Sequence, residues 1–282
     1  MAQRKTARTA ELETLKLEVR NGIGLIWLNR PELRNAFNRV MIDELQTAFE
    51  QMQADPAVHA VAIAGLGPAF CAGADLTHMK RVASFTPAQN IADATAWAEM
   101  LYTLHSLNKP TVARVHGATF AGGLGLIAAC DIAVAAFEAE FCVSEVKLGL
   151  VPATMSPYVL AAIGERAARR YFLTGERFGA SEAYRIGLVQ DLVPGAELDA
   201  TVNAILGHLV TGSRRAQQGT KEMIAAFAGK PITAATVTES ARRNAAGRTS
   251  SDAKEGVRAF LEKRKPAWLA APAPSKSTRK RR

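Results

Sequence analysis

The chain has 282 residues, 48% hydrophobic and 22% charged, which suits a soluble globular body and leaves no run of about 20 apolar residues for a membrane span. The formal net charge of +9 sits at the ends: Arg4, Lys5 and Arg8 give +3 within residues 1–10, and Lys276, Arg279, Lys280, Arg281 and Arg282 give +5 within 271–282. The body between carries about +1, which argues against nucleic acid as a partner and reads the basic ends as solvated, disordered tails. Cys71, Cys130 and Cys142 are odd in number and have no zinc-ligand spacing, so a disulfide framework and a structural metal are excluded and a reducing, cytoplasmic compartment is expected. MAQRKTARTA lacks the apolar core of a secretory signal.

In chain order, LEVRNGIGLIWLN (17–29) predicts two short strands around an Asn-Gly turn. VMIDELQTAFEQMQAD (40–55) has apolar residues at helical spacing, and VHAVAIAGLG (58–67) reads as a buried strand running into glycines. AFCAGADL (69–76) is a small-residue loop, followed by mostly helical sequence through Leu107. TVARVHG (111–117), DIAVAAF (131–137) and AEFCV (139–143) are strands, with the glycine-rich AGGLGLIAA between the first two. ERAARRYFLTG (165–175) is a helix ending at a glycine cap, and SEAYRIGLVQDLV (181–193) is a helix and then a strand. Helices over roughly 196–212, 214–228, 231–247 and 252–264 close the chain, with Pro266 just beyond. Strands that alternate with helices and then give way to helices indicate an α/β core with a C-terminal helical region.

A strand that enters a glycine turn and then a helix leaves backbone N–H groups free at the helix start, where the helix dipole adds positive potential. Such a place holds a phosphate, or a carbonyl oxygen that becomes negative during reaction. AGGLGLIAA has neither a P-loop lysine nor the spacing of a dinucleotide fingerprint. Taken alone, its glycines read as close helix packing. FCAGADL is a second small-residue turn after a buried strand, about fifty residues earlier. Two such turns can offer one N–H each to a single oxygen.

LNRPELRNAFN, AGLGPAFCAGADL, VHGATFAGGLGLIAACDIAVA, FCVSEVKLGLVP, AARRYFLTGERFGASEAYRIGLV and EGVRAFLEKRKPAW together resemble the crotonase (enoyl-CoA hydratase/isomerase) superfamily, in the family's order and over roughly residues 15–268. SEVKLGLVPATMSPYVLAAIGERAARRYFLTGERF is most similar to the bacterial branch that hydrates methylglutaconyl-CoA in leucine breakdown. The resemblance implies an α/β, ClpP-like spiral of ββα units over residues 13–195, with a C-terminal helical region over 196–268 that drives assembly into a homotrimer or a hexamer of two trimers. A basic arm (1–12) and tail (269–282) flank them. It implies an acyl-CoA substrate and no separate cofactor. The thioester carbonyl would lie in an oxyanion hole made by the N–H groups of Ala74 and Gly122.

Hydratases of the family carry two glutamates that hold the attacking water. The position three residues after the oxyanion glycine is Gly125 in this chain, while the second glutamate is present as Glu145. Glu145 is therefore the one acid/base expected. Three readings stay open: a hydratase in which another group or a bound anion places the water, an isomerase that moves one proton between Cα and Cγ, and a non-catalytic member that binds RNA. The usual turn of the family reads PATMSP here (Pro152–Pro157), so Thr154, Met155 and Ser156 are candidates to shape the acyl pocket, with Ser156 as a helix cap. Lys147, Arg114, Ser156 and Tyr158 are candidates to meet a distal carboxylate. On the CoA side the resemblance assigns Arg34 and Ala36 to the nucleotide, and Ala72, Ala74, Asp75 and Leu76 to the adenine and pantetheine. Phe260 and Lys263 reach the nucleotide from a neighbouring subunit. Asp75 also reads as a helix cap; His105 and His116 stand out as possible bases, and His116, at the end of a buried strand, reads as structural.

Overall fold

The computed structural model describes residues 8–269. β1 (Arg8–Glu11), β2 (Leu15–Arg20) and β3 (Ile23–Leu28) are antiparallel neighbours. Asn21 and Gly22 join β2 to β3 at φ 51° and 83°, the positive values that match a two-residue turn to strand twist. The disordered arm expected over 1–12 is corrected for residues 8–11. Their backbone pairs along the edge of β2, and Arg8 forms an ion pair with Asp55. Residues 1–7 of that arm, and the expected tail beyond Leu269, lie outside the described residues.

Asn38 caps α1 (Arg39–Ala54) by accepting from the Met41 N–H at 2.8 Å. The helix buries Met41, Ile42, Leu45, Ala48, Phe49 and Met52 along one stripe. β4 (Ala60–Gly65) and β5 (Ala69–Cys71) lead to α2 (Leu76–Val82) and α3 (Pro87–Ser106). β6 (Thr111–Val115), β7 (Ala118–Phe120) and α4 (Gly122–Ala129) repeat that order. β8 (Ile132–Ala136), β9 (Glu140–Cys142) and α5 (Ser156–Thr174) repeat it again. β10 (Arg177–Gly179), α6 (Ala180–Arg185), β11 (Asp191–Val193) and α7 (Leu198–Thr211) follow. The long strands form one sheet in the order β1-β2-β3-β4-β6-β8-β11, parallel from β3 onward. The short strands form a second sheet in the order β10-β9-β7-β5. Each passage through a long strand, a short strand and a helix is one ββα unit of the spiral.

The long sheet is buried on both faces, as a parallel sheet requires. Val61, Ile63, Ala113, Val115, Ala133 and Ala135 face the main core with α1, α3 and α4, while Ala60, Ala62, Val112, Val134 and Ala136 face the other way. Leu198, Val202 and Leu206 of α7 cover that second face. This corrects the boundary expected at 195/196: α7 belongs to the spiral because its apolar stripe completes the sheet, and the chain divides between Val210 and Thr211.

The second unit carries α8 (Arg214–Phe227), α9 (Ala234–Thr249) and α10 (Ser251–Leu261), capped by Ser213, Thr233 and Ser250. The Ser213 hydroxyl donates to Asp252 at 2.6 Å, and the Trp268 indole donates to the Thr211 carbonyl at 3.1 Å. No helix among the described residues is long and apolar enough to cross a membrane.

Candidate active site

β5, β7 and β9 lie side by side, parallel, in the short sheet. Ala74 is the third residue after β5, Gly122 the second after β7, and Glu145 the third after β9. Three successive ββα units therefore present them from neighbouring strand ends. The ends are in contact. A Cβ on Gly73 would lie 3.0 Å from the Ala121 Cβ, one on Gly123 would lie 2.7 Å from the Cys71 carbonyl, and the Ala121 N–H donates to the Cys142 carbonyl at 2.8 Å.

The backbone around Ala74 explains where its donor points. Phe37 N–H donates to Gly73 O at 2.7 Å, and Asp75 N–H donates to Phe37 O at 2.8 Å. This parallel bridge turns the Ala74 N–H to the opposite side, where it has no acceptor among the described residues. Gly122 opens α4, so its N–H has no partner within the helix, and it has none elsewhere among the described residues. Ala121 before it is held at φ 48°, ψ −122°, a conformation that L-residues adopt only where the surroundings impose it.

Glu145 begins a short 3-10 turn, Glu145–Leu148. Its Oε2 is buried and has no hydrogen-bond partner among the described residues. Burial pushes the Glu145 carboxyl above its usual value of 4.5, against the opposing pull of its own backbone N–H. Gly125 faces an apolar wall, since a Cβ there would lie 2.9 Å from the Met155 Cβ and 3.2 Å from Leu101 Cδ1. The space beside Gly125, where the resemblance implies room for a glutamate, is thus closed by hydrocarbon. Thr154 is half-buried beside Met155. Ser156 is corrected as a cap: Met155 holds the cap position without a side-chain bond, and the Ser156 hydroxyl turns back to donate to Ala153 O at 2.8 Å.

A bracket that sequence reasoning missed supports the first turn. Buried Asn35, at φ 56°, donates to the Leu66 and Ala69 carbonyls at 2.9 and 2.8 Å and accepts from the Arg30 N–H at 2.9 Å. Arg30 donates to Ala36 O at 2.6 Å and to the Asp75 carboxylate at 2.8 Å, with both charged side chains largely buried (14% and 10% exposed). The other Asp75 oxygen caps α2 through the Thr77 and His78 N–H groups. Burial pushes the Asp75 carboxyl up, but Arg30 and the two capping N–H groups together hold it below 3.8. Asp75 is thus engaged with the fold. Arg34 is exposed at φ 50°, and its carbonyl accepts from Ala72 N–H at 2.9 Å. Ala36 is buried, Ala72 half-buried and Leu76 exposed. Phe260 and Lys263 are exposed at the end of α10 in the second unit.

Four further candidates have other contacts. His116 reaches the Gly67 carbonyl at 2.8 Å, and burial first of all lowers its pKa. Arg114 pairs with Asp199 at 2.5 Å. Tyr158 packs edge-on against His105. The exposed Lys147 packs its stem near Gly175. A surface cleft of about 700 Å³ on α5 and α6 is lined by Arg166, Arg170, Arg185 and Glu182 and contains none of the groups above. Among the described residues no three His, Cys, Asp or Glu side chains gather to hold a metal.

The family model described as enoyl-CoA hydratase/isomerase matches residues 18–271. The chain belongs to the enoyl-CoA hydratase/isomerase family. It is 37% identical over 191 residues to the hydroxycinnamoyl-CoA hydratase-lyase of Pseudomonas fluorescens, covering 66% of this chain and 68% of that one. It is 33% identical over 275 residues to the mitochondrial enoyl-CoA hydratase of Pongo abelii, covering 94% and 90%. The crystal structure of an enoyl-CoA hydratase from Shewanella pealeana superposes with a TM-score of 0.89 at 38% identity, covering 92% of this chain and 97% of that one. The spiral of ββα units is therefore that of the enoyl-CoA hydratase/isomerase family.

Proposed function

We propose that the chain adds water to the double bond of a 2-enoyl-CoA thioester. The observation that carries this reading is the alignment of two acceptor-free N–H groups and one buried, unpartnered carboxylate oxygen on three adjacent strand ends. The thioester oxygen accepts from Ala74 and Gly122. Glu145 takes a proton from water as its oxygen bonds to Cβ, and the π electrons move onto the thioester oxygen as an enolate. The two N–H groups stabilise that charge, and such stabilisation often does more for the rate than any other single effect. Glu145 then returns the proton to Cα, so one carboxyl serves as base and acid in turn. Its raised pKa supports this exchange at modest cost.

The acyl group we assign first is 3-methylglutaconyl, on the strength of the SEVKLGLVPATMSP segment. Arg34, Ala36, Ala72 and Leu76 are assigned to CoA, with Phe260 and Lys263 from a neighbouring subunit. Ile232, Val257, Phe260 and Leu261 expose apolar surface on the second unit, which supports assembly into trimers or paired trimers. A second reading has one specific support: Gly125 leaves a single glutamate, which is enough to take a proton from Cα of a 3-enoyl-CoA and return it to Cγ. The test incubates wild type and Glu145→Gln with crotonyl-CoA, 3-methylglutaconyl-CoA and a 3-enoyl-CoA and weighs the products. Gain of one water, lost in the variant, supports hydration. A double-bond shift without mass change replaces it with isomerisation, and no product from any of the three removes both.

A further inference from the structure

Trp97 of α3 is absent from the catalytic scheme above, yet it lies against the proposed hole. A Cβ on Gly122 would fall 2.1 Å from Trp97 Cζ2 and 2.4 Å from Cη2, so the ring rests directly on the Gly122 Cα. The same ring meets Phe37 edge-on, with centroids 4.3 Å apart, and Phe37 is the residue whose backbone orients Ala74. One turn further along α3, Leu101 meets Gly125. Trp97 and Leu101 thus sit one above the other on the face of α3 that packs along α4. The indole Nε1 is buried and has no hydrogen-bond partner among the described residues. Buried indole N–H groups ordinarily find one.

Three occupants of the site could supply the acceptor, and their chemistry separates them. The thioester oxygen has two lone pairs, already matched by the Ala74 and Gly122 donors. The attacking water needs an acceptor for its proton, because a donor on its lone pair would weaken it as a nucleophile. Glu145 Oε2 fills that need. An oxygen further along the acyl chain remains. We propose that the Trp97 indole N–H donates to such an oxygen and selects acyl chains that carry a carboxylate or carbonyl over plain hydrocarbon chains. This rests on the reading of the site as an acyl-CoA hole.

The test uses the full chain and two saturated thioesters that cannot react, glutaryl-CoA and butyryl-CoA, titrated calorimetrically into wild type and Trp97→Phe. Wild type is expected to prefer glutaryl-CoA, and the variant to lose that preference by roughly tenfold, the scale of one hydrogen bond. A second readout does not depend on the variant's packing. The chain has three tryptophans, Trp27, Trp97 and Trp268, so Trp27→Phe and Trp268→Phe assign the Trp97 indole N–H resonance by elimination. Glutaryl-CoA is expected to move it downfield and butyryl-CoA is not. If both thioesters bind and neither the preference nor the resonance responds, the proposal falls and the acyl-CoA site stands. If neither thioester binds wild type, the acyl-CoA reading fails and takes the proposal with it.

Discussion

On the reading that Gly125 stands where the first glutamate of a hydratase is expected, Gly125→Glu would supply that acid, and the packing around Gly125 predicts that it does not help. The new Cβ would lie 2.9 Å from the Met155 Cβ and 3.2 Å from Leu101 Cδ1, inside the 3.4–4 Å of ordinary contact. Neither neighbour can swing into solvent, since Met155 is 1% exposed and Leu101 fully buried. Overpacking of this kind costs about 1–3 kcal/mol. A carboxylate left among hydrocarbon without a partner adds about 1–3 kcal/mol or more. Helix propensity favours Glu over Gly by under about 1 kcal/mol, too little to offset either. A loss of about 4 kcal/mol lowers the melting temperature by roughly 8–16 °C for a body of this size. Calorimetric melting and crotonyl-CoA hydration would be measured on the same preparations. The expected result is a less stable protein with no faster hydration, and partial recovery of stability when Met155→Ala is added. A Gly125→Glu protein that melts within about 2 °C of wild type and hydrates faster would refute the picture of a closed apolar wall.

Glu145→Gln should lower kcat by about 10²–10⁴-fold while acyl-CoA still binds, as followed by calorimetry. Because the folded-state pKa of Glu145 lies above 4.5, the stability this group contributes is present below that value and lost as pH rises through the folded pKa. The same variant should therefore melt above wild type at neutral pH, with the difference fading in acid. Arg30→Met strands the largely buried Asp75 carboxylate and should cost about 3 kcal/mol at neutral pH by urea denaturation. Asp75 is held below 3.8, so its stabilising contribution is present above that value and lost as pH falls through the folded pKa. The gap between Arg30→Met and wild type should narrow accordingly. Asn35→Ala leaves two carbonyls and one N–H of the bracket without their partner, for about 2–3 kcal/mol and a weaker oxyanion turn, read as a fall in kcat at unchanged Kd for butyryl-CoA.

The parts legible in the sequence were those set by local backbone chemistry. Asn21-Gly22 announces its hairpin because both residues tolerate positive φ, and Gly175 announces the end of α5 for the same reason. The two small-residue turns were visible as turns, but their contact depends on β5 pairing with β7 across the sheet, which no local pattern records. β1 was missed because its four residues are all exposed and have no alternation to read. α7 was assigned to the wrong region because an apolar stripe does not say which surface it covers. Asn35 and Trp97 gave no signal of their own. A buried Asn in LRNAF looks like loop polarity, and Trp97 stands in a helix whose apolar residues do not gather on one side.

Two of the three groups on the short sheet's strand ends belong to the main chain, and only Glu145 is a side chain. A substitution can erase Glu145 in one step, yet no substitution short of proline removes the N–H of Ala74 or Gly122. If the groups act as proposed, the fold separates what is durable from what is replaceable: charge stabilisation comes with the backbone, while proton handling and acyl choice are written in side chains. On the proposed reading, a side-chain substitution can change the reaction while the backbone donors assigned to the enolate stay in place.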